Sequence, residues 1–391
     1  MFNTSFKLIA LSLILSSSGQ VKSNIENDLC PLRTDQVIEH YGYEAEEHHV
    51  TTADGYILTI FRCNSKQYAM KKRKPLIIQH GLPSSSDDFT TNIPSQAIAY
   101  VLADAGFDVW LPNFRGTVYS RRHVSKNPDT PGSGFWNFSW YELGIYDQPA
   151  VIDYILNQTH NRKLYYIGYS EGTTSIMVLL SEKPEYNAKI YAASLMAPVG
   201  YTSSIFTAAD YVSLPFFPRL PLFLLEKWLN ILENTEILPR SLSQVASVLC
   251  AQLPALCNGV LNFLFGASEN QRNATMLPVL MCRSISGGSA NQYLHYLQEY
   301  NYGYFGKYKR GFKVPPDFDL SRINTPISLH YSTADTLATA TDVQKLIPKL
   351  QKNIVRIQVI NEKLNHIDFV WGVNSASLIY SEIIKVFQRF N

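Results

Sequence analysis

Five residues, Gly168-Tyr169-Ser170-Glu171-Gly172, constrain this 391-residue chain more than any other feature, because of what flanks them. Lys163-Leu164-Tyr165-Tyr166-Ile167 before them is a short apolar, β-prone run. Thr173-Thr174-Ser175-Ile176-Met177-Val178-Leu179-Leu180 after them continues as a buried helix. A serine on a sharp turn from strand to helix projects its hydroxyl from a strained backbone, and glycines on both sides let the turn close. The pentapeptide by itself is weak; the strand-turn-helix setting is what makes it a nucleophile elbow.

A serine hydroxyl is a poor nucleophile until a base takes its proton, so a histidine and a carboxylate must follow. In the α/β-hydrolase fold the chain order is serine, acid, histidine, with the last two on loops after later strands. Pro326-Ile327-Ser328-Leu329-His330-Tyr331 reads as such a strand and Ser332-Thr333-Ala334-Asp335 as its loop. Asn353–Ile360 reads as the next strand, followed by Asn361-Glu362-Lys363-Leu364-Asn365-His366. Ser170, Asp335 and His366 are therefore the expected nucleophile, acid and base. Among the nine histidines, His40, His48 and His49 come too early, His160 precedes the elbow strand, and His330 points from a strand interior. Asp368 neighbours His366 in sequence, but a local neighbour is badly placed to orient that imidazole.

The developing oxyanion needs main-chain N–H groups, one from the residue after the nucleophile, Glu171, and one from the loop after an early strand. Pro75-Leu76-Ile77-Ile78-Gln79 is that strand and His80-Gly81-Leu82-Pro83 opens its loop. Pro83 has no N–H, so the donor is Leu82 or an earlier residue.

Alternating strand and helix patterns run from about Tyr43 to Met196 and resume near Thr325, which argues a mostly parallel sheet with helices on both faces. Asp54-Gly55 fits a tight turn between two early antiparallel strands. Residues 201–320, between the two parts, show no clear strands and are rich in Leu, Phe and Pro, as in Leu214–Leu225. The expected division is 1–22 as a leader, 23–45 as an N-terminal segment, 46–200 with 321–391 as the α/β core, and 201–320 as a cap with a movable lid.

The chain resembles the acid lipases of the gastric and lysosomal type. The similar segments are Thr52–Leu58, Gln79-His80-Gly81-Leu82, Asp108–Gly116, Ser120-Arg121-Arg122-His123, Phe135–Trp140, Tyr146–Ala150, the elbow, and Asn365–Gly372. They are collinear over nearly the whole chain. The resemblance implies hydrolysis of neutral lipid esters, triacylglycerols and cholesteryl esters among them, at a lipid-water interface. It also implies Ser170, Asp335 and His366 as the triad, Leu82 and Glu171 as oxyanion donors, and a Cys250–Cys257 disulfide in the cap. The family has His and Gln on either side of the serine, where this chain has Tyr169 and Glu171. A carboxylate beside a developing oxyanion repels it unless protonated or paired, so Glu171 is expected to favour activity at acidic pH. Outside that family, a small-ester carboxylesterase and a lipid carrier on the same scaffold are the competing readings.

Lys7, the apolar run Leu8–Leu15 and Ser16-Ser17-Ser18-Gly19 form a secretory leader, cleaved between Gly19 and Ser23, and too short to span a bilayer. The expected destination is the secretory path or the lysosomal lumen, with no transmembrane anchor. That compartment permits bridges, and five cysteines leave one thiol over. Cys30–Cys63 is the expected second bridge, with Cys282 free. Asn137, Asn157 and Asn273 begin glycosylation sequons. No zinc spacing is present and no metal or cofactor is expected. The one dense basic run, Lys71-Lys72-Arg73-Lys74, is short and lacks interleaved aromatics, which argues against nucleic acid. Charged residues are only 17% and aromatics 13%, a balance suited to a large apolar interior.

Overall fold

A computed structural model describes residues 29–66, 73–205, 222–309, 313–361 and 363–390. The expected leader and most of Leu214–Leu225 lie outside these residues. Nine strands form one sheet: β1 (Glu44–Thr51), β2 (Tyr56–Asn64), β3 (Pro75–Gln79), β4 (Asp108–Pro112), β5 (Arg122–His123), β6 (Leu164–Tyr169), β7 (Ile190–Met196), β8 (Ile327–Ser332) and β9 (Ile354–Ile360). Their order is β1-β2-β4-β3-β6-β7-β8-β9, with β5 paired to β2. The β1–β2 and β2–β4 pairs are antiparallel, and every pair from β4 to β9 is parallel. Asp54-Gly55 turns β1 into β2, with Gly55 at φ +97°.

The central strands are almost wholly buried and mostly apolar, as suits strands covered on both faces. In β3, Leu76 and Ile78 join one core cluster and Ile77 the other; in β6, Tyr165, Ile167 and Tyr169 oppose Leu164 and Tyr166. Helices α1 (Thr34–His40) and α2 (Ile98–Asp104) cover the first face, and α3 (Gln148–Thr159) and α4 (Glu171–Glu182) the second. Edge strand β1 carries Glu44, Glu46 and Glu47, charges that discourage pairing with another chain.

Between β7 and β8 the described chain is helical: α5 (Leu222–Ile231), α6 (Ser241–Gln252), α7 (Pro254–Phe265), α8 (Leu277–Ser284) and α9 (Ala290–Tyr302). After β8, α10 (Ala340–Leu350) packs on the second face, and α11 (Ser381–Gln388) closes the first.

One buried carboxylate ties the insertion to both the core and the N-terminal segment. Asp87 accepts hydrogen bonds from Thr34 Oγ1 at 2.7 Å and Tyr119 OH at 3.0 Å, and pairs with Arg240 Nη1 at 2.8 Å and with Arg283. Burial alone would push this carboxyl up; the guanidinium groups of Arg283 and Arg240 outweigh that and hold it below its ordinary value. Arg283 also donates to the carbonyls of Leu29 and Leu32, laying the N-terminal segment along α8. That contact corrects the expected cysteine pairing. It sets Cys30 beside Cys282, Cα atoms 5.8 Å apart and disulfide-bonded. Cys63 sits inside β2, between Ala45 and Val109 on the neighbouring strands, and is the free, buried thiol. Cys250 and Cys257 are bonded to each other within the insertion.

Candidate active site

The elbow closes because side chains are missing where the backbone crowds. A Cβ on Gly168 would stand 2.7 Å from the Gly172 carbonyl oxygen, and one on Gly172 would stand 2.4 Å from that of Gln79. Ser170 between them sits at φ +53°, ψ −120°, a conformation costing on the order of 1–3 kcal/mol. On the β3 side, a Cβ on Gly81 would stand 2.6 Å from Ser170 Cβ, so glycine there lets the loop lie against the serine.

The ends of β8 and β9 bring the other two residues in. Ser170 Oγ lies 2.9 Å from His366 Nε2, and His366 Nδ1 lies 2.8 Å from Asp335 Oδ2. Asp335 Oδ1 accepts the N–H groups of Leu337 at 2.8 Å and Ala338 at 2.9 Å, so both carboxylate oxygens are held. Asp368 instead accepts from the Asn365 N–H at 2.9 Å and braces its own turn. His330 is a core residue, bonded to Gln358 and lowered to about 4, chiefly by burial.

Three supports could not be read locally. Tyr169 donates its hydroxyl to the His366 carbonyl at 3.0 Å, tying the elbow to the histidine loop. The Phe265 carbonyl, at the end of α7, accepts the His366 N–H at 3.1 Å. Gly266, at φ +102°, has no room for a Cβ beside the Ala334 carbonyl, so the insertion presses on the Asp335 loop as well. These partners lie far apart in sequence, and no spacing rule links them.

Leu82 and Glu171 line the same cavity as Ser170. The Glu171 side chain is buried, its two oxygens 3.0 and 2.9 Å from Gln292 Nε2 on α9. Burial pushes this carboxyl up to about 8, the Gln292 amide opposes the rise, and the charge of Asp147 adds to it. It therefore keeps its proton through acidic and neutral pH, a wider range than the sequence led us to expect.

Ser170 opens onto a cavity of about 380 Å³ between core and insertion. Leu82, Val199, Trp228, Leu229, Tyr293 and Leu297 are among its walls, which are almost wholly apolar. Among the described residues no group of three or more His, Cys, Asp or Glu is placed to hold a metal ion. No helix of the described residues is long and apolar enough to cross a membrane.

Comparison with known proteins bears on family and fold. Residues 34–93 match the model of the partial alpha/beta-hydrolase lipase region, and residues 74–228 that of the alpha/beta hydrolase fold. Lipase 1 of Drosophila melanogaster is 35% identical over 377 residues, covering 93% of this chain and 81% of that one. Human gastric triacylglycerol lipase is 31% identical over 370 residues, covering 90% and 89%. A crystal structure from Sulfolobus solfataricus superposes with a TM-score of 0.59 at 15% identity, covering 86% and 90%, and shows the shared fold alone. With an elbow of this build and relatives of this extent, the chain belongs to the lipases of the α/β-hydrolase fold, alongside the gastric triacylglycerol lipases.

Proposed function

We propose that this chain hydrolyses the ester bonds of neutral lipids, triacylglycerols and cholesteryl esters among them, through an acyl-enzyme on Ser170. The observation that carries the reading is the chain of contacts from Ser170 through His366 to Asp335 at the floor of an apolar cavity. His366 Nε2 takes the hydroxyl proton as Oγ attacks the ester carbonyl, while Asp335 holds Nδ1–H and stabilises the imidazolium. The carbonyl oxygen becomes an oxyanion held by the N–H groups of Leu82 and Glu171, each such donor being worth about 10²–10³ in rate. His366 then gives its proton to the departing alcohol. Water repeats the sequence, releasing the fatty acid and restoring the serine. Burial pushes the Glu171 carboxyl up to about 8, which favours an uncharged group beside the oxyanion.

Residues 201–320 act as the cap, their described residues supplying most of the cavity wall. Its outer side supports contact with a lipid surface: Trp228, which also lines the cavity, is 50% exposed, Ile231 80% and Val245 68%. Such a face fits an enzyme that meets its substrate at an interface. Export into the secretory path or the lysosome follows from the leader and the two disulfides, and is compatible with exposed sequon residues Asn137 and Asn157 and half-buried Asn273.

Fatty-acid release from emulsified triolein, beside a soluble short-chain ester and with Ser170→Ala as control, tests the reading. Serine-dependent release from the emulsion is expected. Cleavage of the short ester alone would make the protein a carboxylesterase, and no cleavage of either by folded protein would make it a carrier.

A further inference from the structure

The stretch Ser286–Gln292 of the cap touches both residues that flank the nucleophile. The Ser286 N–H donates to the Pro83 carbonyl at 2.8 Å, and Ser286 Oγ donates to Ser85 Oγ at 3.0 Å, so the loop carrying Leu82 is bonded to the cap. A Cβ on Gly288 would stand 2.9 Å from Leu82 Cδ1 and 3.0 Å from Gln292 Oε1. The stretch is itself anchored, with Ser289 Oγ donating to the Trp136 carbonyl at 2.6 Å.

The orientation of the Gln292 amide follows from its neighbours. Its Oε1 accepts the Ser289 N–H at 2.8 Å as the far half of a capping box at the start of α9. A backbone N–H needs an acceptor, so the amide cannot flip, and its NH₂ faces Glu171. Around that carboxyl the other ionisable groups are Tyr293 and Tyr296 from α9, Asp147 with its partner Arg115 beneath, and His366 across the serine. Among the described residues, Gln292 is the only side chain that hydrogen-bonds the Glu171 carboxyl.

We propose that Gln292 is a positioning residue for ester cleavage: from the cap it holds the Glu171 carboxyl on the cap side of the cavity, while the Ser286–Pro83 bond holds the Leu82 loop. This rests on the serine-esterase reading above. The cap is then more than a cover for substrate, since it keeps the site of the oxyanion in shape. An NH₂ can only donate, so Gln292 favours the ionised form of Glu171. Without it the carboxyl keeps its proton to higher pH, and is free to turn into the cavity.

The test is kcat and KM for a soluble short-chain ester from pH 4 to 10, for the wild type, Gln292→Ala, Glu171→Gln, the double variant and Gly288→Ala. The wild type is expected to lose activity as Glu171 deprotonates, near pH 8. Gln292→Ala should lower kcat at pH 6 by about tenfold with KM little changed, and should move the alkaline fall upward by about one pH unit. Glu171→Gln should abolish that fall, and adding Gln292→Ala to it should restore none. Gly288→Ala should lower kcat without moving the fall. An unchanged kcat and pH profile in Gln292→Ala, or an equal pH shift with Glu171 already replaced, overturns the proposal. Should Gln292→Ala not fold, an alkaline fall that persists in Glu171→Gln overturns it. Full activity in Ser170→Ala would instead overturn the esterase reading, a separate outcome.

Discussion

Two buried carboxyl groups on the core face the helices between β7 and β8, and they do opposite things. Asp87 meets two guanidinium groups and is held ionised; Glu171 meets one amide, which does not outweigh burial, and its carboxyl is pushed up. Depth of burial does not separate them, since both are almost fully enclosed. The partners do: a cation compensates the charge that burial penalises, and a neutral amide compensates it only in part. The first arrangement makes an anchor between the core, the insertion after β7 and the N-terminal segment. The second places beside Ser170 an ionisable group whose carboxyl is pushed up to about 8.

The largest effect should come from breaking the anchor. Arg283→Met leaves Asp87 with one cation and frees the Leu29 and Leu32 carbonyls, so urea unfolding should show a loss of about 3–5 kcal/mol. A loss below about 1 kcal/mol would mean that Arg240 alone suffices and that the cluster is not the fastening described.

The two groups should also bend stability with pH in opposite senses. Asp87 has a lowered folded value, so its contribution is present above the ordinary aspartate range and is lost as pH falls through that lowered value. Glu171 has a raised one, so stability is greatest below the ordinary glutamate value and declines until about pH 8. The decline approaches about 1.4 kcal/mol per pH unit for one proton. Glu171→Gln should flatten that part of a stability profile taken from pH 4 to 8, whereas Asp87→Asn should alter the slope only below it. Identical slopes in Glu171→Gln and wild type would contradict the neutral carboxyl.

The smallest effect concerns the thiols. Non-reducing alkylation should label nothing in the native protein, because Cys63 is buried and its thiol is pushed far up, chiefly by burial. After unfolding without reductant, one label should appear on the Cys63 peptide. A label on Cys282 would restore the pairing expected from sequence.

These contrasts follow what a sequence makes legible. The elbow, the strands before it and after it, and the order of Ser170, Asp335 and His366 are written in short runs whose neighbours act locally. Gly168 and Gly172 can be read because the crowding they relieve lies within a few residues or on the adjoining strand. The Asp87–Arg283 pair spans 196 positions, and the Glu171–Gln292 contact spans 121. Neither has a period or spacing to betray it. The expected Cys30–Cys63 pairing failed for the same reason. Cys30 and Cys282 are 252 residues apart, and their meeting depends on the carbonyls that Arg283 collects.

The account stands on Ser170 as the atom that becomes acylated. Incubating the protein with a long-chain alkyl p-nitrophenyl phosphonate, followed by peptide mass analysis, tests this directly. We expect one phosphonyl group per chain, on the peptide that contains Ser170, with release of one nitrophenol and loss of ester hydrolysis in step. The rate of labelling should fall by about 10⁴ in Asp335→Asn, which leaves His366 without its orienting partner. Modification of any other residue, or an unlabelled protein that still cleaves lipid esters, would contradict it.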